Sequence, residues 1–428
     1  MELRVRPGRA LRGEARMPGD KSIAHRALIA AALAAGPSVI RGFDPLDDGL
    51  RTLGALRACG VEIEAAGPRE LRIAGRGLRG LRSPAAALDC GLSGTTLRLL
   101  TGLLAGQPLT ATLDGLPALR RRPLGRVIDP LRQMGARIEG HEAPIVIHGG
   151  PLRGIDYALP VASAQVKSAL LLAALNAEGE TIIREPAPCR DHTERLLRRL
   201  GVPIVAAGGV IRCQPAHPWP GAAFDLPGDL SAAAFFLVAA SLVPGSEVVL
   251  PGVGVNPTRA GVLEILTAMG GKVTIAGRRG GPDDEPVADL LARPAALRGV
   301  EIGGALVPNL IDELPILAVA ATQAQGTTVV RQAAELRVKE TDRIAALAEE
   351  LGRLGARVQA TADGLVVEGP TPLQGTRVEA HGDHRMAMAL AVAGLVARGE
   401  TVIAGAEAVT KSFPDFASAL RGLGADVE

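Results

Sequence analysis

Six times along the chain an apolar run long enough for a helix ends in glycine, and a short strand-like stretch follows. These runs reach Gly36, Gly106, Gly179, Gly245, Gly326 and Gly399. Each opens on polar residues: Asp20-Lys21-Ser22, Ser93-Gly94-Thr95, Ser163-Ala164-Gln165, Asp229-Leu230-Ser231, Asp312-Glu313 and Asp383-His384-Arg385. A helix that is apolar nearly all round belongs in an interior, and glycine at its end is the expected stop signal. A second, more amphipathic helix closes each repeat at Gly60, Gly135, Gly201, Gly270, Gly355 and Gly424, which lie 66 to 85 residues apart. The pattern predicts an α/β chain built from six repeated α/β units.

Repeats one to three fill residues 20–227 and repeats four to six fill 228–428. Strand-like Glu2 to Val5 and Gly13 to Met17 precede the first repeat. They are expected to complete the C-terminal half, giving domains of 20–227 and of 1–19 plus 228–428, with two crossings of the chain. The stretch Gly277 to Pro286 is read as an exposed loop without chemistry of its own. If three polar helix starts per domain converge on one cleft, their dipoles and donors form a trap for anions.

A net charge of +2 and 2% aromatic residues argue against a nucleic-acid surface, which needs a basic excess with stacking aromatics. No apolar stretch reaches the length of a membrane span and arginines break up the N-terminal residues, so the expected address is the cytoplasm. Cys59, Cys90, Cys189 and Cys213 show no CxxC spacing and the histidines no HExxH pattern, so neither a disulfide framework nor a metal is expected. Of 47 basic residues only Lys21, Lys167, Lys272, Lys339 and Lys411 are lysine. A surviving lysine marks a place where a compact ammonium resists replacement by guanidinium. Lys272 lies outside every motif and is read as a surface charge.

Several stretches pair cations with acid or base groups. Lys21, Ser22 and Arg26 fall within about one and a half helical turns, where Asp20 or Ser22 can cap the free N–H groups. Arg120-Arg121-Arg122-Pro123 sits on a loop, with Arg122 best placed to fork onto an anion. Arg190 leads a helix that Asp191 is placed to cap. Lys339 and Arg343 are four apart, hence on one helical face, with Glu340 beside them. Asp312 leads a buried helix and is either its cap or a general base.

In this order the motifs PGDKSIAHRAL, LSGTTLRLL, RRPLG, SAQVKSALLLAAL, RDHTE, LRVKETDRI, GDHRMAMAL and TKSFPDF resemble the EPSP synthase family of enolpyruvyl transferases end to end. The resemblance implies a two-domain inside-out α/β barrel fold whose domains close on substrate. It implies transfer of the enolpyruvyl group of phosphoenolpyruvate to the 5-hydroxyl of shikimate 3-phosphate, through a tetrahedral intermediate, by a monomer without cofactor. Shikimate 3-phosphate is then bound by Lys21, Ser22, Arg26, Ser163, Gln165, Arg190, Asp312 and Lys339. Phosphoenolpyruvate is held by Lys21, Gly94, Arg122, Gln165, Arg343, Arg385 and Lys411. Asp312, Glu340 and Lys21 carry the catalytic proton transfers.

The chain departs from the family at Leu92, where many members have Asn, and at Ala24, Ala164 and Glu335. Leu92 puts one substrate contact in doubt. The nearest rival, an enolpyruvyl transferase acting on UDP-N-acetylglucosamine, carries a reactive Cys in its loop, and residues 114–126 here contain none. A noncatalytic anion-binding protein of the same architecture has no need of a base such as Asp312. By resemblance, Gly94 leaves room beside the phosphoenolpyruvate site, so the chain should be glyphosate-sensitive. Inhibition of turnover only at millimolar glyphosate contradicts this.

Overall fold

The computed structural model describes all 428 residues. Six four-stranded sheets recur, each with one parallel and two antiparallel pairs. They are the six repeats of the sequence made visible. The chain divides into two compact halves. The N-terminal half is Gly19–Pro227 with Gly280–Glu285, and the C-terminal half is Met1–Pro18, Gly228–Arg279 and Pro286–Glu428.

In the N-terminal half the helices used below are α1 (Lys21–Leu33), α2 (Gly94–Ala105), α3 (Ala164–Ala174) and α4 (His192–Arg199). In the C-terminal half they are α5 (Leu230–Leu242), α6 (Leu314–Gln323), α7 (Arg343–Arg353) and α8 (His384–Val396). Every residue of α1 from Ile23 to Leu33 is buried, as is every residue of α8 up to Leu395. The strands alternate instead, as in Glu2–Arg6 with Leu3 and Val5 inward. Helices with no polar face are therefore enclosed, and sheets with one polar face form the outside. Each fully buried Leu or Phe contributes roughly 1.5–3 kcal/mol. Phe235, Phe236, Phe413 and Phe416 cluster with ring centroids 5.6–6.2 Å apart. Between α2 and α3, a Cβ on Gly102 would lie 2.1 Å from the Ala169 carbonyl oxygen, so this crossing requires glycine.

The N-terminal strands Glu2–Arg6 and Arg12–Glu14 enter sheets of the C-terminal half, pairing with Thr401–Ala404 and Glu247–Gly254. Gly60, Gly135, Gly201, Gly270, Gly355 and Gly424 all have φ between 79° and 102°, the left-handed region that stops a helix. The buried helices end differently. α1 stops at Leu33 because Ala34 is extended, and Gly36 and Gly106 lack a positive φ.

Gly280–Glu285 is not a free loop. Arg198 pairs with Asp283 at 2.7 Å, His192 Nδ1 lies 2.7 Å from Glu285, and Arg195 donates to the carbonyl of Pro282. These contacts place the segment in the N-terminal half, so the chain passes between halves at four places rather than two.

A chain of buried polar groups ties the first helices together. His25 Nδ1 meets Thr52 Oγ1 at 2.7 Å, Thr52 meets Thr96 at 2.8 Å, and Thr96 donates to Ser93 at 2.9 Å. Burial pushes the imidazole down to about 3, with Asp48 opposing in part. The folded chain thus refuses a proton that the unfolded chain takes up near pH 6.5. Stability conferred by neutral His25 is complete above that pH and declines as pH falls towards 3, at up to ~1.4 kcal/mol per unit. Chemical denaturation of wild type and His25→Gln from pH 7 to 4 should show this extra slope in wild type alone.

Candidate active site

In the N-terminal half the polar groups gather at helix starts. Asp20 caps α1 by accepting from Ile23 N at 3.0 Å, Ser93 caps α2 from Thr96 N at 3.1 Å, and Ser163 caps α3 from Val166 N at 3.4 Å. Of the two caps open for α1, the structure uses Asp20. Gln165 bridges α3 to α2: its Nε2 donates to Thr95 Oγ1 at 3.0 Å and its Oε1 accepts from Arg98 Nη1 at 2.6 Å. A Cβ built on Gly94 would stand 2.8 Å from Arg98 Nη1 and 3.1 Å from Arg122 Nη1. Gly94, Arg122 and Gln165 therefore come together, with Arg98 as a fourth member that the motif reading passed over. Lys21 Nζ pairs with Asp48 at 2.9 Å, a second missed residue. A carboxylate in the first turn of the amphipathic helix Asp47–Ala58 was the available signal.

Arg26 is buried rather than open. Its Nε donates to Thr193 Oγ1, its Nη2 to Ser168 Oγ and its Nη1 to the Ser22 carbonyl, each at 2.7 Å. Burial lowers its pKa to about 10, so it stays charged at neutral pH. Arg190 is near enough for its charge to act on Arg26. Asp191 does not cap α4; its carboxylate binds Arg195 at 3.0 Å. Arg120 ends the one-turn helix Pro117–Arg120 and pairs with Asp114 at 2.7 Å, whereas Arg122 reaches the start of α2 beside Gly94.

In the C-terminal half Asp312 is the meeting point. Lys339 Nζ and Arg343 Nη1 each lie 3.5 Å from its Oδ1, and Arg385 Nη2 lies 3.9 Å from its Oδ2. Arg385 Nη1 also donates to the Asp312 carbonyl at 3.1 Å. Asp312 is not the N-cap of α6: Glu313 occupies that position, and no side chain makes the cap bond. The pairing expected of Lys339 and Arg343 on one helical face takes another form. α7 starts only at Arg343, Asp342 being its cap, and Lys339 precedes it in extended backbone. Both cations still reach the same carboxylate.

Arg343 is 1% exposed. It binds Asp383 at 2.7 Å and Glu340 at 2.7 Å. Burial opposes its charge, but Asp383, then Glu340 and Asp312, outweigh that and hold the guanidinium above its usual value. Burial likewise works against the Asp383 carboxylate, and Arg343 outweighs it, keeping that pKa below the usual range. Asp383 also caps α8 by accepting from Arg385 N at 2.8 Å. Lys411 Nζ donates to the Gly382 carbonyl at 2.8 Å, beside this cap. Asp383 was quoted within a motif but given no role by the sequence reading.

The ligand atoms of Glu349, Glu350 and His381 lie within 4.8 Å of one another, the one such grouping in the structure. Its members are engaged with protein: Glu350 accepts from His381 Nε2 at 2.8 Å and from Glu379 N at 3.1 Å, and Glu349 binds Arg353. The four cysteines are free and buried.

Chemically, each half offers clustered cations at helix N-termini, and the C-terminal half adds two carboxylates, Asp312 and Glu340, within that positive field. This suits doubly anionic substrates and proton transfer. Residues 5–420 match the family model described as EPSP synthase (3-phosphoshikimate 1-carboxyvinyltransferase). A 3-phosphoshikimate 1-carboxyvinyltransferase of Pelotomaculum thermopropionicum is 50% identical over 98% of each chain. Those of Desulforudis audaxviator and Gloeobacter violaceus are 51% identical over 99% of each chain and 53% identical over 96% of each. The solved EPSP synthase of Acinetobacter baumannii superposes with a TM-score of 0.90 at 43% identity, covering 100% of this chain and 99% of its own. The enolpyruvyl transferase NikO of Streptomyces tendae, at 21% identity and a TM-score of 0.81 over 100% and 98% of the two chains, shares the fold. With the family model matched over residues 5–420 and relatives about half identical over nearly the whole chain, the chain belongs to the EPSP synthase family.

Proposed function

We propose how this chain's own residues carry out the family's reaction. The chain transfers the enolpyruvyl group of phosphoenolpyruvate to the 5-hydroxyl of shikimate 3-phosphate, releasing phosphate, in the shikimate pathway of aromatic amino-acid biosynthesis. The hydroxyl oxygen adds to C2 of the enol while the methylene carbon takes a proton. The tetrahedral adduct then loses phosphate and one proton of the new methyl group, restoring the double bond.

Asp312 accepts the hydroxyl proton. Its placement among Lys339, Arg343 and Arg385, within 3.5–3.9 Å, is the observation that carries this reading, because those cations also offer binding to substrate anions. Glu340 and Lys21 deliver and remove the proton on the methylene carbon. Arg122, Arg343, Arg385, Lys411 and Gln165 hold phosphoenolpyruvate, with Gly94 keeping space open. Lys21, Ser22, Ser163, Gln165, Arg190, Asp312 and Lys339 hold shikimate 3-phosphate. Arg26, enclosed by Ser22, Ser168 and Thr193, supports that set from behind. We further take the enzyme to be a cytoplasmic monomer without a cofactor; four free buried cysteines suit a reducing compartment, and no single helix is long and apolar enough to cross a membrane.

Phosphate release from phosphoenolpyruvate should require shikimate 3-phosphate and should not respond to UDP-N-acetylglucosamine. Asp312→Ala should lower kcat by about 10²–10⁴ with a smaller change in either KM, as expected for a lost general base. Arg122→Gln should instead raise KM for phosphoenolpyruvate most. A reversal of that ordering in steady-state kinetics contradicts the assignment.

Gly94→Ala gives an independent check. The added Cβ meets the side-chain ends of Arg98 and Arg122 rather than backbone, so thermal stability should change little while KM for phosphoenolpyruvate rises. An unchanged KM contradicts the placement of phosphoenolpyruvate beside Arg122.

A further inference from the structure

Lys167 stands in the first half of α3, and its residue is 0% exposed. Its ammonium has three N–H groups and meets three acceptors: Glu185 Oε1 at 2.8 Å, Glu194 Oε1 at 2.6 Å and the Cys189 carbonyl at 3.1 Å. It is saturated and sealed from solvent, so it does not transfer protons to substrate. The acceptors come from the segment after the strand Thr181–Arg184, from the turn before α4, and from α4 itself. A planar guanidinium does not reproduce three donors diverging from one atom, which accounts for lysine here in an arginine-rich chain.

The third acceptor is the informative one. The Cys189 carbonyl belongs to the peptide bond whose nitrogen is that of Arg190, so the ammonium fixes the plane from which Arg190 departs. The next residue on α3, Ser168, meets Thr193 Oγ1 at 2.7 Å, and Thr193 in turn accepts from Arg26. Lys167 and Ser168 thus bind the Arg190 turn and the first turn of α4 to the helix whose own start carries Ser163 and Gln165.

We propose that Lys167 is a positioning residue for shikimate 3-phosphate, holding Arg190 in register with the first turn of α3. The inference rests on Arg190 being a ligand of that substrate. Burial disfavours the charge on Lys167, but Glu194 and Glu185 outweigh this, so the clamp persists across the neutral range.

Lys167→Met breaks the clamp but leaves two buried carboxylates. The neutralised triple variant Lys167→Met/Glu185→Gln/Glu194→Gln removes the clamp without that charge, and decides the matter where the single variant does not fold. In the folded variant, KM for shikimate 3-phosphate should rise ~tenfold or more, while KM for phosphoenolpyruvate and kcat stay within about threefold. A loss shared equally by both substrates, or an unchanged KM for shikimate 3-phosphate, overturns the proposal. Arg190→Ala separates the two layers. If it raises KM for shikimate 3-phosphate while the triple variant does not, the positioning role fails and the ligand assignment stands. If Arg190→Ala leaves that KM unchanged, both fall.

Discussion

A helix that is apolar on every side keeps its unsatisfied backbone N–H groups at one end, and that end must find polar partners. Six such helices are enclosed in this chain, so six sets of capping groups are obligatory. Asp20, Ser93, Ser163, Asp229 and Asp383 cap five of them with side-chain hydrogen bonds. At the sixth, α6, Glu313 holds the N-cap position without a side-chain cap bond, and the carboxylate of Asp312 just before it meets Lys339, Arg343 and Arg385. The demands of burying apolar helices thus generate the polar, dipole-biased surfaces on which anion chemistry can be built.

Charge is handled differently in the two halves. Lys167 sits among acceptors that use up all its donors, with Glu185 and Glu194 on either side. Arg343 is as deeply buried, yet its guanidinium spreads over Asp383, Glu340 and Asp312, the last two being the carboxylates we propose for proton transfer. Removing one member of a buried ionic group costs about 3–5 kcal/mol because the partner is stranded. Substitutions at Arg343 therefore mix lost stability with lost catalysis, whereas Gly94 and Arg122 report on binding more cleanly.

The architecture was largely legible because it repeats: glycines 60, 135, 201, 270, 355 and 424 occupy one backbone conformation in all six repeats. A local rule needs only neighbours in sequence, so the cap of α1 was narrowed to Asp20 or Ser22, of which the structure uses Asp20. What escaped the reading is long-range. Nothing near Arg26 announces that Ser168 and Thr193 enclose it, and nothing near residues 280–285 announces α4. Asp48 and Arg98 were passed over for the same reason: each gains its meaning from a partner 27 or 67 residues away, Lys21 or Gln165. Gly36 misled in the other direction, since α1 already stops at extended Ala34, whereas Gly106 is the cap residue of α2, though without a left-handed φ.

Lysine scarcity carried more information than any single motif, and its meaning differs with burial. Lys21 and Lys339 are partly open, at 22% and 28% side-chain exposure, and lie beside the carboxylates of Asp48 and Asp312. Lys167, at 1%, is closed off. The same residue type thus stands at a solvent-reachable helix start in one case and as a framework group whose acceptors match its donors one for one in the other. Burial in the folded chain, rather than residue identity in the sequence, separates the two.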